Sequence, residues 1–148
     1  MNKSHLAAAA IATNEYGEIL MVQEGKGHVK GTWNFPGGSF EDQEDLKETA
    51  RREFLEETGY EIEPGEVIGV YLEESVRTGN TVAVFLYEAN IIEKRHEGLE
   101  DGEIIDKEFF PPEKIEAQDL RKDNRKKMLE DFLEGRRFSS SRVTDTRD

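Results

Sequence analysis

Leu6 to Ala12 is a run of small apolar residues, short enough to be one buried strand. Asn14-Glu15-Tyr16-Gly17 carries turn chemistry, and Glu18 to Val22 resumes the apolar run. Together they predict a hairpin. Gly25 to Gly31 is a glycine-punctuated, mildly basic loop, followed by a short extended piece, Trp33-Asn34-Phe35, that Pro36-Gly37-Gly38 stops. Asp45 to Thr58 has helical composition, and Gly59 supplies the C-terminal cap. Glu66 to Leu72 and Thr81 to Ala89 read as strands joined by a tight turn at Gly79-Asn80. An acidic loop, Glu93 to Gly102, precedes a short strand, Glu108-Phe109-Phe110. Pro112 to Glu116 opens a short helix, and Asp123 to Leu133 is an amphipathic one. This order predicts an α/β domain with a mixed sheet and helices on both faces. The domain is expected to span residues 1–138, with a disordered polar tail over 139–148.

The helix breaks its own pattern. With Leu46 at zero on a helical wheel, Ala50 falls at about 40° and Phe54 at about 80°. These residues mark the inward face. On the same wheel Glu53 lies at about −20°, Glu57 at about 20°, and Glu56 on the flank near −80°. Carboxylates one turn apart on a packed face repel one another and resist burial. A solvated acidic helix end would place them opposite Leu46 and Phe54. A hard divalent cation such as Mg²⁺ or Mn²⁺, which takes oxygen ligands and keeps waters, would remove the penalty. Arg52 is open to two roles, a plain surface residue or a guanidinium that fixes one of the carboxylates. Glu41 and Glu44 favour the positive helix end, and Glu44 could also reach a metal shell.

Composition narrows the chemistry. The 148 residues suit one domain and carry a formal net charge of −13, which argues against a long nucleic acid as partner. There are no cysteines, which excludes disulfides, thiolate ligands and cysteine nucleophiles and fits a cytoplasmic setting. No apolar run is as long as a membrane span.

Gly38, then five residues, Glu44, then seven residues, then Arg52-Glu53-Phe54-Leu55-Glu56-Glu57-Thr58-Gly59-Tyr60 resembles the Nudix box. That box reads G-x5-E-x7-R-E-U-x-E-E-x-G-U, with U a bulky apolar residue. Every fixed residue is present at its spacing: Gly38, Glu44, Arg52, Glu53, Glu56, Glu57 and Gly59. Phe54 and Tyr60 stand where smaller aliphatics are commoner, and Gln43 where many members have glycine. The likeness runs over roughly residues 5–135, from the lead-in Trp33 to Gly38 to a late acidic loop holding Glu103.

The resemblance implies the Nudix fold, an α/β/α sandwich, and hydrolysis of a diphosphate linkage in X-O-P-O-P substrates. A nucleoside di- or triphosphate is slightly favoured as substrate. It also implies that Glu53, Glu56 and Glu57, with the Gly37 carbonyl as a further ligand, hold Mg²⁺ or Mn²⁺. The general base would be Glu53 or a late-loop acid, best matched by Glu103, with Glu97, Glu100 and Asp101 nearby. Lys26, His28 and Lys30 could hold phosphates or simply form a surface loop. Trp33 and Phe35 could stack on a base or fill the core. The alternative function is a catalytically silent Nudix-fold module that senses a nucleotide. A homodimer is a further expectation, with the alanine-rich first strand as a pairing edge.

Overall fold

Strand β1 (His5–Thr13) is the axis of the molecule. Its side chains alternate between two faces, as strand geometry requires. Ala8, Ala10 and Ala12 point to one side, where they meet Ala50 and Phe54. Ala9 and Ile11 point to the other, where they join a cluster with Met128 and Leu129. The small residues on the first face let a helix sit close to the sheet.

The computed structural model describes residues 3–99 and 102–147. After β1 come β2 (Ile19–Glu24), a 3-10 turn (Gly27–Val29), β3 (Trp33–Asn34) and β4 (Gly37–Ser39). Helix α1 (Leu46–Thr58) follows, then β5 (Tyr60–Glu74), β6 (Thr81–Lys94) and β7 (Ile104–Phe110). The chain continues through α2 (Pro112–Ile115) and α3 (Asn124–Leu133) to a 3-10 turn at Ser140–Arg142. One sheet of seven strands runs in the order β3-β2-β1-β6-β5, with β4 paired to β1 and β7 to β2. Only β1 and β6 pair in parallel among these strands, so the sheet is mixed. Helix α1 covers one face, and α2 and α3 cover the other. This is the α/β/α sandwich expected from the sequence.

The alanine-rich strand is not an edge. β1 is flanked by β2, β4 and β6, so the proposed dimer edge is corrected: its small residues serve helix packing. Strand β5 lies at the outer side of the sheet beyond β6, bridged at Val67 by Phe138. It begins directly after the helix cap and is longer than the sequence pattern indicates. Pro64 and Gly65 hide its first half, and the ladder shifts register between Pro64 and Val67. An edge position tolerates such a break, because a proline there removes no required donor. The turn between β5 and β6 is also wider than a two-residue hairpin, closing from Ser75 N to Asn80 O at 2.8 Å.

Residues 139–147 lie along the body of the domain. Phe138 bridges Val67, Val143 packs against the cluster that holds Tyr87, and Arg147 reaches the backbone of Asp42 and Glu44. These partners lie far away in sequence.

Candidate functional site

Asp45 opens helix α1 as its N-cap, accepting a hydrogen bond from Glu48 N at 2.9 Å. Gly59 closes the helix at φ 79°, donating to Leu55 O. A Cβ at Gly59 would stand 1.9 Å from His96 O, because the loop after β6 lies directly on the helix end. Arg95 N and His96 N both donate to Gly59 O, at 2.7 and 3.2 Å, and Leu99 N donates to Glu57 O at 3.0 Å. The glycine is thus required by both backbone angle and close approach. These contacts fix the rotation of α1 and so the direction of its glutamates.

The wheel holds in three dimensions. Phe54 is fully buried and Glu57 is only 8% exposed. Glu53 is nearly covered, with a side-chain exposure of 16%, while Glu56 on the flank reaches 39%. Glu57 Oε1 accepts from Gly37 N at 3.2 Å, which ties the helix to β4. The carboxyl group of Glu53 lies against Gly38, where a Cβ would stand 2.4 Å from its Cδ. Any other residue at 38 would displace that carboxylate.

Arg52 is the hub, which settles its two readings in favour of pairing. Its Nε and Nη2 hold Glu44 as a fork, at 3.0 and 2.8 Å. Nη1 donates to Glu53 Oε1 at 2.8 Å, and Nη2 also donates to Ser39 O at 2.9 Å. Glu56 and Glu41 stand further off, at 3.6 and 3.7 Å. The Arg52 guanidinium holds the Glu44 carboxyl down to about 2, helped by hydrogen bonds from Thr49 and from Glu41 N, against the opposing effect of burial. Glu44 in turn raises Arg52 above its ordinary value. Glu44 therefore serves to hold Arg52. Thr49, fully buried and donating to Glu44 Oε1 at 2.7 Å, is a member of this network that the motif does not mark.

Among the described residues, no group of three or more Asp, Glu or His side chains stands together as a ready metal cage. Glu57 turns toward Gly37 N, and Glu53 turns toward Arg52. The donor chemistry nevertheless fits a hard divalent ion: three carboxylates on neighbouring turns of one helix, beside a β4 backbone whose glycines leave space at Glu53.

A cavity of about 270 Å³ lies at the end of the sheet, lined by Lys26, His28, Arg77, Glu103 and Arg121 around Glu24. Lys26 and His28 are thus brought together with Glu103, while Lys30 lies outside its lining. Glu103 is half-exposed, and its carboxylate stands 3.8 Å from Arg77 Nη1. Glu97 is exposed and pairs with Lys94 at 2.9 Å, so it stands in solvent. Glu100 and Asp101 lie outside the described residues.

Trp33 and Phe35 are core residues. They are 8% and 2% exposed, and Trp33 meets Phe110 edge-on with ring centres 5.0 Å apart. That corrects the idea that they stack on a base: their rings are already taken up by packing.

Sequence reading missed the support beneath the cavity. Buried Glu24 accepts from Arg121 Nη1 at 3.0 Å and from Asn34 Nδ2 at 3.1 Å. Asn34 Oδ1 accepts from Arg125 Nε at 2.8 Å, and Arg125 pairs with Glu73. Burial acts to raise the Glu73 carboxyl, but the hydrogen bond and charge of Arg125 outweigh it and hold the group below its usual range. The available signal was Glu24 itself, an acid two residues past the apolar run Ile19 to Val22. Its partner is 97 residues away and could not be read from local pattern.

The NUDIX domain family model matches residues 3–132. The chain belongs to that family. A NUDIX hydrolase from Nitrosomonas europaea superposes with a TM-score of 0.86 at 24% identity, covering 98% of both chains, a likeness of fold. The 8-oxo-dGDP phosphatase NUDT18 of Mus musculus is 41% identical over 61 residues, 41% of this NUDIX chain but 19% of that protein. The 8-oxo-dGTP diphosphatase of Proteus vulgaris is 35% identical over 60 residues, 40% of this chain and 54% of that one. The NUDIX chain therefore aligns with well under two thirds of either curated relative's length. No helix among its described residues is long and apolar enough to cross a membrane.

Proposed function

We propose that this NUDIX protein hydrolyses the diphosphate linkage of a nucleoside diphosphate derivative, with Mg²⁺ or Mn²⁺ held by Glu53, Glu56 and Glu57 and by the backbone at Gly37. The observation that carries this reading is the Arg52 network. It holds one box carboxylate, Glu53, against a glycine that leaves it room, while Glu57 is seated on the neighbouring glycine's N–H. A helix whose acids had no task would turn them outward.

When bound, the divalent ion would neutralise substrate charge and acidify a water. Arg52 holds the Glu53 side chain in one rotamer and is itself clamped by Glu44. Glu53 is the preferred base for the attacking water, and Glu103 is the alternative. The water oxygen bonds to phosphorus, the bridging P–O bond breaks, and the leaving phosphate departs with its electron pair. Lys26, Arg77 and Arg121 offer a local cationic surface within a chain of net charge −13, suited to the anionic or acceptor-rich end of the substrate. Oxidised purine nucleoside di- and triphosphates, on which the named relatives act, head the candidate substrates.

The test is a panel of nucleotide and non-nucleotide diphosphates incubated with Mg²⁺, Mn²⁺ or EDTA. Metal-dependent turnover of at least one member is expected. Its absence throughout would overturn the reading. Glu53→Gln and Glu103→Gln separate the bases: loss of rate in both, with metal affinity lost only in the first, identifies Glu103.

A further inference from the structure

The family match ends at residue 132, yet the chain beyond it returns to the box. Phe138 and Val67 exchange backbone hydrogen bonds at 2.9 and 3.0 Å. After a 3-10 turn, Val143 packs against the cluster of Ala8, Ala50, Val67 and Tyr87. From there the tail roofs a cavity of about 640 Å³ that has Leu6, Leu46 and Tyr87 in its wall. That stretch spans a space, so contact at its far end matters. There Arg147 Nη1 donates to Asp42 O at 2.8 Å, and Nη2 donates to Glu44 O at 2.9 Å. Its guanidinium lies 5.2 Å from the centre of the Phe40 ring, and its Nη2 also donates to Asp145 Oδ2 at 2.6 Å.

The segment Arg147 touches is the one that presents Glu44. It is tied to β1 through Phe40 N, which donates to Leu6 O at 3.0 Å, and to α1 through the Asp45 cap. Between those ties lies a run dense in acids: Glu41, Asp42, Glu44 and Asp45. Like charges crowded into one turn push it open, and a guanidinium on its carbonyls opposes that. Two arginines therefore clasp the segment. Arg147 takes its backbone, and Arg52 takes its carboxylate.

We propose that Arg147 is a positioning residue for the NUDIX site. It fixes the segment before α1, and through Glu44 it fixes Arg52 and the Glu53 carboxylate. The inference rests on the hydrolase reading above for its effect on rate, but its structural part is measurable without turnover.

The experiment uses the full chain with Arg147→Ala and Arg147→Lys. Amide hydrogen exchange is read over residues 40–45, the Arg52 Nε–H resonance is followed by NMR, and kcat and KM are measured on a substrate the wild type cleaves. In Arg147→Ala, exchange is expected to rise about tenfold and the Arg52 Nε–H signal to shift or broaden, with kcat falling about three- to tenfold and KM within about twofold. Arg147→Lys should recover at least half of the lost rate. Unchanged exchange and an unchanged Arg52 signal overturn the proposal. So does a loosened segment with an undiminished kcat. If the wild type cleaves nothing, the hydrolase reading fails, and the Arg52 signal alone decides: a shift in Arg147→Ala supports the positioning, and no shift overturns it.

Discussion

Arg52 donates to both oxygens of Glu44, to Glu53 and to Ser39 O, and that arrangement has a pH signature. The folded-state value of Glu44 is held down to about 2 by Arg52, below the ordinary 4.5. A depressed carboxylate adds stability that is fully present above its unfolded value and is lost as pH falls through the folded one. Wild type should therefore lose this contribution between pH 4.5 and about 2. Glu44→Gln should be less stable than wild type at pH 7, and the gap should close across that window. Urea midpoints against pH check it, and a constant gap would show that Glu44 is not the group responsible. Gly38→Ala tests the neighbouring contact. Its Cβ would stand 2.4 Å from Glu53 Cδ, so the carboxylate must move. Turnover is expected to fall by at least about tenfold while the fold is kept, judged by circular dichroism and kinetics.

Helix α1 must sit close and end cleanly to aim its glutamates. Ala10 is fully buried under it, so Ala10→Val should overpack the seam and cost about 1–3 kcal/mol in denaturant unfolding. Gly59→Ala meets both a left-handed backbone and His96 O at 1.9 Å. The backbone alone costs about 1–2 kcal/mol, and the clash adds to it. A lowered thermal midpoint is expected, and an unchanged one would mean the loop after β6 is not held on the helix end. Much of this element was legible beforehand. Leu46, Ala50 and Phe54 mark a face, Asp45 and Gly59 mark the ends, and local spacing carries both signals. The extent of β5 was not legible, because Pro64-Gly65 looks like a break and only an edge position makes it tolerable.

For the whole molecule the decisive measurement is linkage to metal. A ligand that binds only the folded state stabilises it by about 2.7 kcal/mol at a hundredfold excess over Kd. Mg²⁺ or Mn²⁺ should therefore raise the thermal midpoint of wild type, EDTA should reverse the shift, and Glu57→Gln should abolish most of it. An equal shift in wild type and Glu57→Gln would sever that glutamate from the ion. By itself the sequence determined the family, the helix and the face its glutamates take, because motif spacing and helical period are local properties. Tertiary structure decided what those acids touch. It paired Glu44 and Glu53 with Arg52, and Glu57 with Gly37. It put Trp33 and Phe35 in the core, β1 at the centre of the sheet, and Arg147 beside the segment that leads into the box. Each of these joins residues distant along the chain, and such pairings follow from sheet order and packing rather than from periodicity.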